Sequence, residues 1–514
     1  MSAKLEMATS IARKKIVPLG EVVDFNPRFG KDELADDSLA SFIPMKCVEE
    51  ESGRFEPLGD RKVADVRKGY TPFRDGDVIF AKVTPCMENG KAAVLKGLTN
   101  GVGFGSTEFF ALRPKNGLEA NYLFHFILQS NFRRDAARNM TGAVGLRRVP
   151  KSYLAQQPIP LPPLAEQRRI VAEIEKQFTR LEAGVAALRR VRANLKRYRA
   201  AVLKAACEGR LVPTEAELNK SGSGVPPLGL GKKRQDAAST FETGEALLAR
   251  ILTERRQNWQ GRGQYKEPAA PDNTNLPNLP ESWTWVAWEM VLAHEEGAFK
   301  RGPFGSALTK AIFVDKGFKV YEQYCPINDD CSFARYYITP EKFEELQAFE
   351  VKAGDYLISC SGVTLGRITR VPEKCERGII NQALLRVRIN ESVINHRYFL
   401  HLFRSALFQK AIFDNSTGSA IPNVKGVKEL KAMAIPLPPL AEQTRIVAEV
   451  ERRLSVVKEL EAMMSANLQR ATRLRQSILQ KAFTGELTID KPTTSPEAVL
   501  TVTEHPSRLA DAPL

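Results

Sequence analysis

Ile159-Pro160-Leu161-Pro162-Pro163-Leu164-Ala165-Glu166-Gln167 returns letter for letter as Ile435-Pro436-Leu437-Pro438-Pro439-Leu440-Ala441-Glu442-Gln443, 276 residues further on. The match runs without a gap through Arg169-Ile170-Val171-Ala172-Glu173 and Arg445-Ile446-Val447-Ala448-Glu449. At the same offset Gly209 and Leu211 fall on Gly485 and Leu487. Upstream, Tyr122, His125, Phe132 and Thr141-Gly142 fall on Tyr398, His401, Phe408 and Thr417-Gly418. One unit is therefore written twice in one chain, which predicts a pseudo-twofold internal repeat and a target with two comparable halves.

The prolines of each junction cannot sit inside a helix, because they remove donors and clash with the preceding turn. They can start one, and Glu166 near the start suits the helix dipole. From there Ile174, Leu181, Leu188, Leu195 and Val202 recur every seven residues, with Val171, Phe178 and Val185 as a second row. Arg192 and Arg199 displace that row, and Val191 and Tyr198 are expected to take it over. The second copy has Val450, Val457, Met464, Ala471 and Ile478, with Val447, Leu454 and Leu468 alongside. These are coiled-coil seams. Gly209, ahead of Pro213, and Gly485 read as helix stops.

A helix from Glu166 to Cys207 would be roughly 60 Å long. Alone it would expose its apolar seam. The economical arrangement packs the two copies antiparallel within one chain, and pairing between chains is the alternative.

Ahead of each junction lies a strand-rich region. Asp77–Val83 and Phe109–Leu112 read as strands, with counterparts at Asp355–Cys360 and Gln382–Val387. Short amphipathic helices follow near Asn121–Arg138 and His396–Asp414. The fold class is α+β: two globular modules with curved, mostly antiparallel sheets, separated by the two long helices. The expected division is a first module at 1–158, a first helix at 159–212 and a linker with a short helix (Gly244–Trp259) at 213–280. A second module follows at 281–434, a second helix at 435–490 and a disordered tail at 491–514. Ser221-Gly222-Ser223-Gly224 marks the linker by composition.

The 514 residues carry a formal charge of +15, which favours a polyanionic partner, nucleic acid being the commonest. No apolar stretch approaches a membrane span and the N-terminus lacks a signal-peptide core, so a cytoplasmic protein is expected. The seven cysteines are scattered without Cys-x-x-Cys pairs and read as free thiols. No phosphate-binding Gly-x-x-x-x-Gly-Lys loop, His-Glu-x-x-His or dinucleotide fingerprint is present. Gly101-Val102-Gly103-Phe104-Gly105-Ser106 reads as a turn between strands. Asn26-Pro27-Arg28-Phe29 faintly resembles a base-holding methyltransferase site, but Arg28 breaks the pattern and no cofactor-binding glycine strand accompanies it. His125 and His401 sit among apolar neighbours, as core histidines do. No residue is singled out as catalytic or metal-binding.

The positive signal is for recognition. Candidate DNA-reading residues are Lys82, Thr84, Asn89, Arg147, Arg148 and Lys151 in the first half. The second half offers Arg301, Ser306, Ser361, Thr364, Arg367, Asn381, Gln382, Asn423 and Lys425. Arg and Lys can contact guanine edges or phosphates, and Asn and Gln can pair with adenine. The first helix is also cationic, with 12 Lys or Arg against 5 Glu over residues 166–212.

With two modules alternating with two helices, each introduced by Pro-Leu-Pro-Pro-Leu-Ala-Glu-Gln, the chain resembles the specificity (S) subunit of Type I restriction–modification enzymes. Glu245-Ala246-Leu247-Leu248, Leu279-Pro280-Glu281-Ser282-Trp283 and Gly302-Pro303-Phe304-Gly305-Ser306 are similar to the entry into that family's second module. The resemblance covers roughly residues 15–490. It implies two target-recognition domains reading a split, asymmetric site in double-stranded DNA, with the helices as a spacer. It implies two methyltransferase (M) subunits and restriction (R) subunits as partners, docking around Pro162, Pro163, Glu166, Gln167, Pro438, Pro439, Glu442 and Gln443. No cofactor would be bound by this chain; S-adenosylmethionine, ATP and Mg²⁺ would sit on the partners. Two other readings stand beside it: a coiled-coil scaffold without sequence reading, and a self-sufficient DNA methyltransferase.

Overall fold

In the computed structural model the described residues are 15–30, 33–143, 145–220, 242–259, 264–362, 364–413 and 424–487. The linker glycines and serines and the tail lie outside them. The chain forms two compact units, Met1–Arg189 with Ser465–Leu514, and Arg190–Met464. Each unit thus holds one module and a stretch of each long helix.

The first unit begins with β1 (Lys15–Pro18), which pairs antiparallel with β10 (Pro158–Leu161), so the prolines of the junction form an edge strand. β2 (Val23–Phe25), β9 (Phe109–Pro114), β6 (Val78–Ala81) and β7 (Ala92–Val94) make one antiparallel sheet in that order. A second sheet runs β4 (Asp60–Lys62), β3 (Leu39–Ile43), β8 (Val102–Gly105), β5 (Thr71–Arg74), with β3 and β8 parallel.

The second unit repeats this strand for strand. β11 (Thr284–Ala287) pairs with β20 (Ala434–Leu437). β12 (Phe299–Arg301), β19 (Leu384–Val387), β16 (Tyr356–Ser359) and β17 (Ile368–Arg370) form the antiparallel sheet. β14 (Tyr337–Ile338), β13 (Phe318–Tyr321), β18 (Gly378–Ile380) and β15 (Glu350–Val351) form the mixed one, with β13 and β18 parallel. The α+β class, the mostly antiparallel sheets and the internal repeat all hold.

One expectation about the strands fails. The Gly101–Ser106 stretch is not a turn, because Val102–Gly105 is a central strand between β3 and β5. Its glycines allow close strand approach: a Cβ on Gly105 would stand 2.1 Å from the Ile43 carbonyl oxygen. Val102 and Phe104 fill a small core with Ala40 and Phe42.

The long helices run Leu164–Cys207 and Leu440–Thr484. In the first unit Ile170, Val171, Ile174 and Phe178 of one share a core with Ile478, Leu479, Ala482 and Phe483 of the other. The start of one helix thus meets the end of the other. In the second unit the relation is reversed, with Val202, Leu203, Ala206 and Cys207 against Ile446, Val447 and Val450. Within each unit the pairing is therefore antiparallel and inside one chain. Gly209 and Gly485 end the helices in left-handed conformation, at φ 68° and 90°. The proposed takeover of the second row does not occur: Val191 is 42% and Tyr198 44% exposed. Two helices bury only a narrow stripe, and Leu195 and Val202 occupy it there.

Each module packs its short helices between sheet and helix pair. Ala120–Ile127 and Ser130–Arg138 do so in the first, and His396–Phe403 and Ala406–Ile412 in the second. Phe483 lies 4.9 Å from Tyr122 and 5.4 Å from Phe126, ring to ring. In the second unit Trp288, 1% exposed, packs against Phe299 and Phe408. The linker helix spans Gly244–Gln257. All seven cysteines are free, with Cys207, Cys325, Cys331 and Cys360 buried.

Candidate nucleic-acid interface

In an antiparallel sheet alternate strands end on the same side, so loops distant in sequence gather at one end. In the first unit the residues after β6, before β9 and after β2 meet this way. Thr84 N–H donates to Arg147 O (3.0 Å) and Val149 N–H to Lys82 O (2.9 Å), so Lys82–Thr84 runs alongside Arg147–Val149. Two predicted groups more than sixty residues apart become one surface.

Much of that surface is already engaged. Arg148 grips Glu108 with two nitrogens (Nη2–Oε1 2.6 Å, Nε–Oε2 2.9 Å), and this guanidinium holds the Glu108 carboxyl below its ordinary range. Arg147 donates to Ala137 O (2.9 Å) and Met140 O (3.3 Å), closing the end of helix Ser130–Arg138. Thr84 bonds to Glu88, and Asn89 donates to Glu50 (2.9 Å). Lys82 and Lys151 lie over the rings of Phe110 (5.6 Å) and Phe25 (5.8 Å). The acids Glu50 and Glu108 were invisible to sequence reasoning, since nothing in local spacing announces a partner 39 or 40 residues away. Asn26-Pro27-Arg28-Phe29 is structural. Asn26, at φ 53°, accepts from Ala111 N–H through Oδ1 (2.9 Å), and Phe29 packs on Phe104.

The second unit gathers its candidates at the corresponding end. Gly302 N–H donates to Leu384 O (2.9 Å), and a Cβ on Gly302 would lie 1.9 Å from Asn381 O, so only glycine lets these loops touch. Gln323, missed by sequence reading, donates to Ser361 O (2.9 Å) and Oγ (3.0 Å) and ties both to Ala383 O (3.4 Å). Ser359 Oγ donates to Thr364 O and accepts from Arg367 N–H, both at 2.9 Å, which fixes the turn between β16 and β17. Thr364, Arg367 and Gln382 are exposed, and Asn381 accepts from Ala383 N–H (3.1 Å). Arg301 lies 5.4 Å from the ring of Phe304, itself 68% exposed. Lys425 follows Val424, whose N–H reaches Cys360 O (3.2 Å). The Ser306 side chain and Asn423, with Thr417-Gly418, lie outside the described residues.

The junction residues divide. Gln167 and Gln443 are fully buried and bonded inside the molecule. Glu442 is also fully buried, accepting from Trp283 Nε1–H (2.7 Å), Glu215 N–H (3.1 Å) and the Ser282 hydroxyl (3.4 Å). Burial pushes its carboxyl above the usual range. These three side chains present no atom to a partner, which corrects their expected place in a docking surface. Pro162, Pro438 and Pro439 are buried too. Pro163 is exposed and Glu166 half-buried, 3.4 Å from Arg169.

Among the described residues no cluster of His, Cys, Asp and Glu could hold a metal ion, and no helix is long and apolar enough to cross a membrane. The model for the Type I restriction modification DNA specificity domain matches residues 13–187 and again 305–463, once in each module. The chain belongs to that family. As a Type I specificity subunit it supplies DNA recognition through two domains and is not itself the catalyst. It is 26% identical over 492 residues to the Type I restriction enzyme EcoAI specificity subunit of Escherichia coli, spanning 90% of this chain and 81% of that one. The EcoEI specificity subunit, also from Escherichia coli, is 26% identical over 91% of this chain and 82% of its own. A chain solved in work on complex assembly and conformational transition of the type I R-M system shares the fold, with a TM-score of 0.61. It is 22% identical and is matched over 92% of this chain and 98% of that one.

Proposed function

We propose that each module reads one half of a split, asymmetric site in double-stranded DNA, and that the helices fix the number of unspecified base pairs between the halves. The observation that carries this reading is the repeat itself: one ten-strand layout occurs twice, and the candidate residues gather at the same sheet end each time. The first reader is Lys82, Thr84, Asn89, Arg147, Arg148 and Lys151. The second is Arg301, Ser306, Ser361, Thr364, Arg367, Asn381, Gln382, Asn423 and Lys425, with Arg and Lys contacting base edges or phosphates in both sets. The readers occupy 1–158 and 281–434, the spacers 159–212 and 435–490. Two methyltransferase subunits dock near Pro163 and Glu166 and at the second copy of the junction, and restriction subunits complete the cytoplasmic complex. S-adenosylmethionine, ATP and Mg²⁺ serve on those partners, with adenine flipped out for methylation.

Deleting the gene and sequencing the methylome tests this directly. One bipartite adenine-methylation motif should vanish and return on complementation. A motif that persists would exclude the reading, as would binding unaffected by a randomised DNA sequence.

A further inference from the structure

The two units surround an equivalent histidine with equivalent helix positions but finish the site differently. In the first, Arg475 lies 4.0 Å over the Phe178 ring, pairs with Glu182 (3.2 Å) and donates to Glu51 O (2.7 Å). His125 is buried beneath, and the cleft left over measures about 380 Å³. At the repeat offset Arg475 corresponds to Arg199, His125 to His401 and Thr179 to Ser455. Glu182 corresponds to Lys458, so the acid that neutralises the first site becomes a cation in the second.

The result is a cleft of about 850 Å³ in the second unit, with Arg199, Ser455 and Lys458 on the helix wall and Thr364 and Arg367 on the sheet wall. Its acids are spent: Glu451 takes Arg397 (2.8 Å) and Asp329 takes Arg404 (3.0 Å). Arg199 reaches Glu461 only at 3.4 Å. Arg367 and Lys458 have no ion-pair partner among the described residues, and His401 Nε2 is buried there without a hydrogen bond.

We propose that this cleft binds a phosphate group of the DNA backbone, held chiefly by Lys458 and Arg367, and that the Glu182-neutralised counterpart in the first unit does not. A phosphate oxygen would find two uncommitted cations and the Thr364 hydroxyl lining one cleft, while the Ser455 hydroxyl is already donated to Arg452 O (2.9 Å). The proposal rests on the DNA reading above, and free inorganic phosphate would satisfy the same chemistry.

The test measures duplex affinity of the full chain, in complex with its methyltransferase subunits, across a salt series. Lys458→Ala should weaken motif-bearing and scrambled duplexes by the same factor. It should also lower the slope of log affinity against log salt by about 0.9 per lost phosphate contact. Lys458→Arg should restore both. The side chain is exposed, so melting of the complex should not move. An unchanged slope in both Lys458→Ala and Arg367→Ala overturns the proposal. So does a slope that holds while calorimetric binding of inorganic phosphate is lost, which would make the free anion the ligand. Altered motif preference in Arg367→Ala with both slopes intact would make that residue a base contact and likewise overturn it. A wild-type complex that binds no duplex would instead remove the DNA reading itself.

Discussion

Gln443 repeats, bond for bond, what Gln167 does 276 residues earlier. Gln167 Nε2 donates to Gly117 O and Pro162 O, both at 2.8 Å, and Oε1 accepts from Glu119 N–H (2.8 Å). Gln443 Nε2 donates to Val393 O (3.2 Å) and Pro438 O (2.9 Å), and Oε1 accepts from Asn395 N–H (2.7 Å). Beside each, a tyrosine hydroxyl donates to a junction carbonyl: Tyr122 to Pro160 O (2.8 Å) and Tyr398 to Pro436 O (3.2 Å). Glu119 and Asn395 in turn cap the short helix that follows. The repeated motif is a latch between junction, loop and helix cap.

Gln443→Ala would leave the Asn395 N–H and the Val393 and Pro438 carbonyls buried without partners. A loss of about 1–3 kcal/mol is expected, with a similar loss for Gln167→Ala. Thermal or urea unfolding reads it. A surface role for these glutamines predicts no change.

Phe483 comes from the end of the second long helix yet completes the core of the first module. Phe483→Ala should cost about 3–5 kcal/mol. Hydrogen exchange should rise at Tyr122–Ile127 as well as in the helix. Exchange confined to the helix end would mean that the helix pair adds little to the module.

Burial, with Arg475 nearby, drives the His125 imidazole down to about 3, so it folds neutral. The unfolded chain takes up a proton near the ordinary value of about 6.5. Because the folded value is the lower one, its contribution is present above about pH 6.5 and is lost as pH falls towards 3. The loss is roughly 1.4 kcal/mol per pH unit. Comparing wild type with His125→Phe between pH 6.5 and 5, where carboxylates contribute least, isolates it. Equal slopes in the two proteins would contradict the burial argument.

Inserting one heptad between Val191 and Asn194, with its match in the second helix, should lengthen the unspecified spacer of the methylation motif. Methylome sequencing reads the spacer. An unchanged spacer would mean that something other than the helices sets it.

Seven-residue rows from Ile174 to Val202 made the helices legible, because a seam needs only local periodicity. The strand Val102–Gly105 did not look like one, since its glycines are selected by backbone proximity to Ile43 rather than by side-chain pattern. The family resemblance put Gln167 and Gln443 on a docking surface, whereas both side chains are buried and bonded inside the molecule. Reading residues were legible by type but not by availability. Arg148 is committed to Glu108 and Arg147 to helix carbonyls, and such pairings appear only once the chain is folded.

Modular reading requires two independent readers in one chain. Exchanging residues 15–155 for the equivalent stretch of another family member, then sequencing the methylome, tests it most directly. One half of the motif should change while the other half and the spacer stay as they were. Simultaneous change of both halves would contradict it.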